Sequence, residues 1–148
     1  MGTVKALKVE LSSTAEKTYR QLVERARNHI ERGELEHSHV KALRLVDECL
    51  DTIIPHDPFS KDRALTGSLA NIFRVKKGRV RICYVGSSRV YEIKVLYISE
   101  TLRKDGDKRD AYKLFSRMVM SGECDHIFDT LGIKRPPRKA QFQALGLQ

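Results

Sequence analysis

The sequence lacks any apolar run long enough to cross a bilayer, and its first residues lack a signal-peptide pattern. Both absences predict a chain that folds in water and stays in the cytoplasm. Met1-Gly2 resembles the start of a myristoylation signal, but position 6 is Ala rather than Ser or Thr, so lipidation is not expected. Cysteine is scarce: Cys49, Cys83 and Cys124 are far apart and share no disulfide or ligand spacing. Reduced thiols are therefore expected. No Gly-rich phosphate loop of the Walker or dinucleotide kind is present. Asp105 and Asp107 flank Gly106 but bring none of the further ligands of a calcium loop. The histidines are His29, His37, His39, His56 and His126. His37-x-His39 has no acidic or thiol partner at ligand spacing and reads as polar surface, so neither a metal nor a cofactor is expected. Internal repeats and low-complexity segments are also missing.

What is there is positive charge. The chain has 148 residues, enough for one domain with one core, and a formal net charge of +9. Between Ile72 and Arg109 lie eleven Lys/Arg and four Asp/Glu, so +7 of that charge falls in one span. Such a concentration is the electrostatic footprint of a nucleic-acid binder.

The same span reads as three strands, Ile72–Lys76, Arg79–Val85 and a third ending at Ile98. Lys77-Gly78 suits a two-residue hairpin loop, because Gly tolerates positive φ. That loop would pair Val75 with Val80 and Arg74 with Arg81. A second turn at Ser87-Ser88 would pair Ile82 with Ile93, Val80 with Val95, and Arg81 with Lys94. One face then carries Phe73, Val75, Val80 and Ile82. The other carries Arg74, Lys76, Arg79, Arg81 and Lys94, with Lys77 in the turn. Like charges opposed across a sheet are destabilising by ~0.2–1 kcal/mol per pair, which favours a polyanionic ligand on that face. A solvated outer face rich in Lys and Arg is the competing reading.

Around the meander, Val4 to Leu11 reads as a first strand. Ser13-Thr14-Ala15-Glu16 has the capping-box pattern of a helix start, with Tyr19, Leu22, Val23, Ala26 and Ile30 as the apolar stripe. A second helix from about Ser38 turns Leu43, Val46, Leu50 and Ile53 inward and stops at Pro55. Residues 55–69 form a long loop. A helix from about Asp110 carries Ala111, Leu114, Phe115, Met118 and Val119 and ends at Gly122. A last one, around Asp125 to Leu131, ends at Gly132. The order is β-α-α-β-β-β-α-α: an α+β domain over residues 1–133, with helices on one face of an antiparallel meander and a basic face left open. Lys134-Arg135-Pro136-Pro137-Arg138-Lys139 begins a basic, flexible tail over 134–148.

A cluster of Arg and Lys with tyrosines suits chemistry on RNA, whose 2′-hydroxyl can attack its own 3′-phosphate without a bound water or metal. The protein must move protons and stabilise the extra negative charge, a task for fixed guanidinium groups. Lys76, flanked by Arg74, Arg79 and Arg81, is a candidate general base, because neighbouring positive charge disfavours an ammonium group. Tyr112, after the polar loop, is a candidate to stack on a base or orient the attacking hydroxyl. A half-buried helix tyrosine is its plain alternative.

These residues resemble the RelE superfamily of bacterial toxins, and within it the YhaV-type branch. The likeness rests on Thr101-Leu102-Arg103, Gly106, Asp110-Ala111-Tyr112, Phe115-Ser116-Arg117-Met118 and Gly122. Upstream, Arg74-Val75-Lys76, Gly78 and Val80-Arg81-Ile82 fit the same pattern. It spans roughly Leu65 to Leu131. The resemblance implies the toxin of a type II toxin–antitoxin module, an endoribonuclease that cuts mRNA, free or on the ribosome; the lack of metal-ligand spacing adds the expectation of metal-independent cleavage that leaves a cyclic phosphate. It implies a cognate antitoxin as partner. It also implies working groups at Arg74, Lys76, Arg81, Arg103 and Tyr112, with Arg81 and Arg103 on the scissile phosphate and Tyr112 on the nucleotide being cut. The segment between Arg103 and Tyr112 is longer than in the small RelE-type relatives. Two other readings stand beside it. The ParE branch shares the fold and inhibits DNA gyrase without cutting RNA. A plain RNA-binding module would be expected to interleave aromatics with the charges, and the basic face as read here does not.

Overall fold

The computed structural model describes residues 6–100 and 111–136. The first strand, β1, is Lys8–Leu11, and Val4 and Lys5 of the expected strand lie outside the described residues. Helix α1 runs Ser13–Glu31, capped by Ser12 rather than by Ser13. The cap shifts because Ser12 is still held by the sheet. Its amide donates to the Val95 carbonyl at 2.8 Å, and its buried hydroxyl donates to the Leu96 carbonyl at 3.3 Å. That hydroxyl also accepts from the Ala15 amide at 3.1 Å. Glu16 is thereby too far along for a capping box and pairs instead with Arg20.

Helix α2 is Ser38–Glu48, and the ring of His37 caps it. Pro55 does not stop the chain as expected. The helix widens into a π turn over Cys49–Ile53 and continues as the short α3, Ile54–His56. Proline has no N–H and crowds the carbonyl four residues back. Widening the preceding turn relieves both, and the Ile54 amide reaches back to the Cys49 carbonyl.

Strands β2 (Phe73–Lys77), β3 (Val80–Ser87) and β4 (Glu92–Glu100) form the antiparallel meander. The sheet order is β1-β4-β3-β2, with β1 parallel to β4. Both turns differ from the sequence reading. The first loop is Gly78-Arg79, with Gly78 at φ +55° in the first loop position, so Lys77 pairs with Val80, Lys76 with Arg81 and Val75 with Ile82. The second is a four-residue turn over Ser88 to Tyr91, so Val85 pairs with Lys94 and Tyr84 with Val95. Each partner moves by an even number of places at the turns, which leaves side chains on their expected faces. A bulge between the Tyr84–Val95 and Cys83–Tyr97 pairs then changes the parity of β4.

The α+β class and element order stand, but both faces of the sheet are covered. Helices α1 and α2 lie on the expected apolar face, over Val75, Val80, Ile82, Tyr84, Ile93, Val95 and Ile98. On the other face, α4 (Ala111–Met120) and α5 (Asp125–Leu131) bury Phe115, Val119, Ile127 and Phe128 against Cys83, Val85 and Leu96. Among the described residues, α4 and α5 leave the basic face uncovered beside the Gly78-Arg79 turn. The run Ile82-Cys83-Tyr84-Val85 is apolar without alternation, the mark of a strand covered on both sides.

The start of the expected tail is held in place. The Lys134 carbonyl accepts from Asn71, and Arg135 donates to Asp129 at 3.0 Å and pairs with Asp125 at 3.4 Å. Residues 137–148 lie outside the described residues. His29, His37 and His39 meet across the α1–α2 connection. No helix among the described residues is long and apolar enough to cross a membrane.

Candidate active site

Two rows cross the sheet beside the Gly78-Arg79 turn. One row is Lys76, Arg81 and Ser99; the next is Arg74, Cys83 and Tyr97. Lys76 and Arg79 are exposed, while Arg74, Arg81, Tyr97 and Ser99 are half-buried. Arg81 is folded over the turn, its Nη1 donating to the Gly78 carbonyl at 2.7 Å and the Val80 carbonyl at 3.1 Å. Those bonds fix the guanidinium in place beside the Lys76 strand position. Under Arg74, burial pushes the Cys83 thiol up to about 12, and the Arg74 charge pulls it only partly back. Cys83 is therefore a core thiol and not a nucleophile.

Tyr97 and Ser99 join this surface, and the sequence reading left both out. The β4 bulge is the reason, since it brings Tyr97 round to the basic side. Its ring packs on Phe115 of α4 with centroids 5.4 Å apart. Burial raises the Tyr97 hydroxyl above the ordinary tyrosine value, and Ser99 pulls it the other way. An aromatic does therefore sit among the basic residues, against the expectation. The apolar run Val95-Leu96-Tyr97-Ile98 was the available signal, because strict alternation fails there.

Two expected members stand elsewhere. Lys77 shares the side of Val80 and comes within 3.9 Å of Glu48 at the end of α2. Lys94 pairs across the sheet with Val85, five residues along β4 from Ser99, or roughly 15 Å. There it meets Glu10 at 3.2 Å, and Glu10 also meets Lys8 at 2.8 Å. Lys94 lines a separate cleft of about 430 Å³ with Glu10, Glu92 and His126. The expected enclosure of Arg81 between Arg74 and Lys94 is thus replaced by Lys76 on one side and Ser99 on the other. Arg103 lies outside the described residues. Tyr112 is the second residue of α4, and its side chain is likewise outside the description.

A family profile described as a toxin with endonuclease activity, of a toxin–antitoxin system, matches residues 7–134. The chain belongs to the YhaV toxin family. That match takes in every element from β1 to α5 and all the expected site residues. Among solved structures, this YhaV-family chain is similar to the toxin–antitoxin complex RelBE2 from Mycobacterium tuberculosis, with 17% identity and a TM-score of 0.49 over 68% of this chain and 98% of that one. It is similar to a free mutant form of the E. coli toxin RelE, with 15% identity and a TM-score of 0.45 over 79% and 98%. It is also similar to the intact E. coli RelBE toxin–antitoxin complex, with 16% identity and a TM-score of 0.40 over 66% and 100%. No curated protein matches the YhaV-family chain. The chain is a toxin with endonuclease activity, of a toxin–antitoxin system.

Proposed function

We propose that the open basic end of the sheet cuts mRNA by holding it so that the 2′-hydroxyl attacks the adjacent 3′-phosphate. The observation that carries this reading is the cross-strand pair Lys76–Arg81, backed by Arg74 in the neighbouring row. Positive groups opposed across strands weaken a sheet, and a phosphate backbone between them turns that cost into affinity. Arg81 grips the scissile phosphate with a guanidinium already fixed by the turn, as transition-state stabilisation requires. Lys76 moves the proton, and Arg74 and Arg79 hold flanking phosphates. Arg103 and Tyr112 take the second phosphate contact and the nucleotide being cut, on the strength of the family motif they belong to. Lys77 and Lys94, already facing Glu48 and Glu10, have lesser parts. A cognate antitoxin keeps the toxin silent by covering this surface or displacing the start of α4.

The test is cleavage of a defined mRNA, with and without ribosomes, followed by analysis of the new ends. The expected products carry a cyclic phosphate on one fragment and a 5′-hydroxyl on the other. A 5′-phosphate on the product, or full activity in Lys76→Ala, would overturn the mechanism.

A further inference from the structure

The connection between α1 and α2 gathers three imidazoles that the cleavage chemistry does not use. His29 closes the last turn of α1, while His37 and His39 open α2. The rings of His29 and His37 are stacked with centroids 3.5 Å apart. His39 lies 4.8 Å from His37 and 5.6 Å from His29. One ring nitrogen from each falls within 4.8 Å of the others, and all three residues are half-buried.

We propose that His29, His37 and His39 form a binding site for a divalent transition-metal ion of the zinc class.

Three imidazoles with one position open suit Zn²⁺, Co²⁺, Ni²⁺ or Cu²⁺ and not Mg²⁺ or Ca²⁺, which take oxygen ligands. Metal–nitrogen bonds of ~2.0–2.1 Å in a tetrahedron put ligand nitrogens roughly 3.4 Å apart, so the rings need to close by about 1.4 Å at most. Half-buried side chains at a helix–helix turn can supply that by small rotations. The surroundings match what metal-binding histidines use. His29 Nδ1 lies 3.0 Å from the Glu34 carboxylate, which orients the ring and leaves its other nitrogen for the ion. Arg32 lies close to both, and its Nε is held by Glu34 at 2.9 Å, so the carboxylate offsets the guanidinium. His39 Nδ1 is buried and, among the described residues, has no hydrogen-bond partner. A buried ring nitrogen left without a partner is costly unless something takes its lone pair.

Loading the site has a structural price at one bond. His37 Nδ1 now accepts from the His39 amide at 3.1 Å and caps α2. A neutral ring that does so carries its proton on Nε2, so ligation through either nitrogen ends the cap. The ion replaces a cap by a clamp between two helices. The site is also remote from the RNA surface. Glu48, which faces Lys77 near the hairpin, is eleven residues along from His37, or roughly 16 Å of helix.

The experiment uses the full chain, made without an affinity tag and stripped with a chelator. Zn²⁺ is titrated by calorimetry and Co²⁺ by visible absorption. The expected result is one ion per chain at micromolar affinity or better, with the intense absorption of tetrahedral Co²⁺ and a rise in melting temperature with Zn²⁺. His29→Gln and His39→Gln should each weaken binding by about tenfold or more, and His126→Gln should leave it unchanged. His29→Gln leaves the α2 cap in place, so it tests the site even if His39→Gln disturbs the helix. Sub-stoichiometric or millimolar binding, or binding unaffected by His29→Gln, overturns the proposal. Cleavage is not the readout, so failure here leaves the assignment of the RNA surface untouched.

Discussion

In the proposed mechanism the guanidinium of Arg81 serves two purposes. Nη1 ties down the carbonyls of Gly78 and Val80, and the planar fork is thereby aimed rather than free to swing. A fork of five N–H donors keeps capacity for phosphate oxygens beyond those two bonds. Relief of repulsion alone would leave Arg81→Ala as stable as the parent, or more so. The turn bonds reverse that sign. Arg81→Ala should cost about 1 kcal/mol of stability, since the bonds it loses are near the surface. It should lower mRNA cleavage ~10²–10³-fold, the usual loss of a preorganised stabiliser. Arg81→Lys should recover little of the rate, because an ammonium group cannot reproduce the fork. Thermal unfolding run beside cleavage separates the two effects. An Ala variant that folds and still cuts at the parental rate shows that the phosphate is held elsewhere.

At the scale of the elements, α1 and α2 are tied by one polar bond across their apolar seam. The Tyr19 hydroxyl donates to Asp47 at 2.6 Å. That carboxylate, with burial second, pushes the Tyr19 hydroxyl up to about 12 from an ordinary value of 10. The folded value lies above the unfolded one, so the bond's stabilisation is complete below pH 10 and fades as pH rises toward 12. Tyr19→Phe should cost about 1 kcal/mol near neutrality and remove that alkaline component. Urea unfolding of both proteins at neutral and alkaline pH checks it, and an identical pH profile would count against the bond. The α1 stripe was legible because its period of 3.6 put Leu22 and Ala26 on one buried face. The meander was legible for a different reason: alternation fixes a face even when the partner is wrong. Lys77-Gly78 and Gly78-Arg79 both contain the glycine a tight turn needs, so composition did not choose between them. The apolar run Val95-Leu96-Tyr97-Ile98 marks a place where alternation fails, but it does not say that the register shifts by one there. The longer second turn moves the partner of Arg81 four places along β4 from Lys94 and the bulge moves it one more, to Ser99; that last place is what turns Tyr97 to the basic side. The histidine cluster is hidden by the seven residues between His29 and His37, which the helical hairpin closes.

For the whole molecule, the formal net charge of +9 says that RNA will be attracted; the arrangement of the charges says how strongly salt will oppose it. Counterion release gives a slope of ~0.7 per phosphate contact for a single strand when log affinity is plotted against log salt. Arg74, Lys76, Arg79 and Arg81 gather at the hairpin end, whereas Lys77 faces Glu48 and Lys94 faces Glu10. Four contacts predict a slope of about −3 for a short RNA. Lys76→Ala should reduce its size by about 0.7. Lys94→Ala should leave it nearly unchanged, because Lys94 lies roughly 15 Å away along β4, beyond the ~8 Å reach of an exposed charge at physiological ionic strength. Removing Lys94 also leaves Glu10 with Lys8, so the local field at that edge changes little. Fluorescence anisotropy of a labelled RNA across a range of salt concentrations measures all three slopes. A flat line for the parent would mean that phosphates are not what binds. Equal losses from Lys76→Ala and Lys94→Ala would mean that RNA runs the length of the sheet, past the cleft at β1, rather than ending at the hairpin.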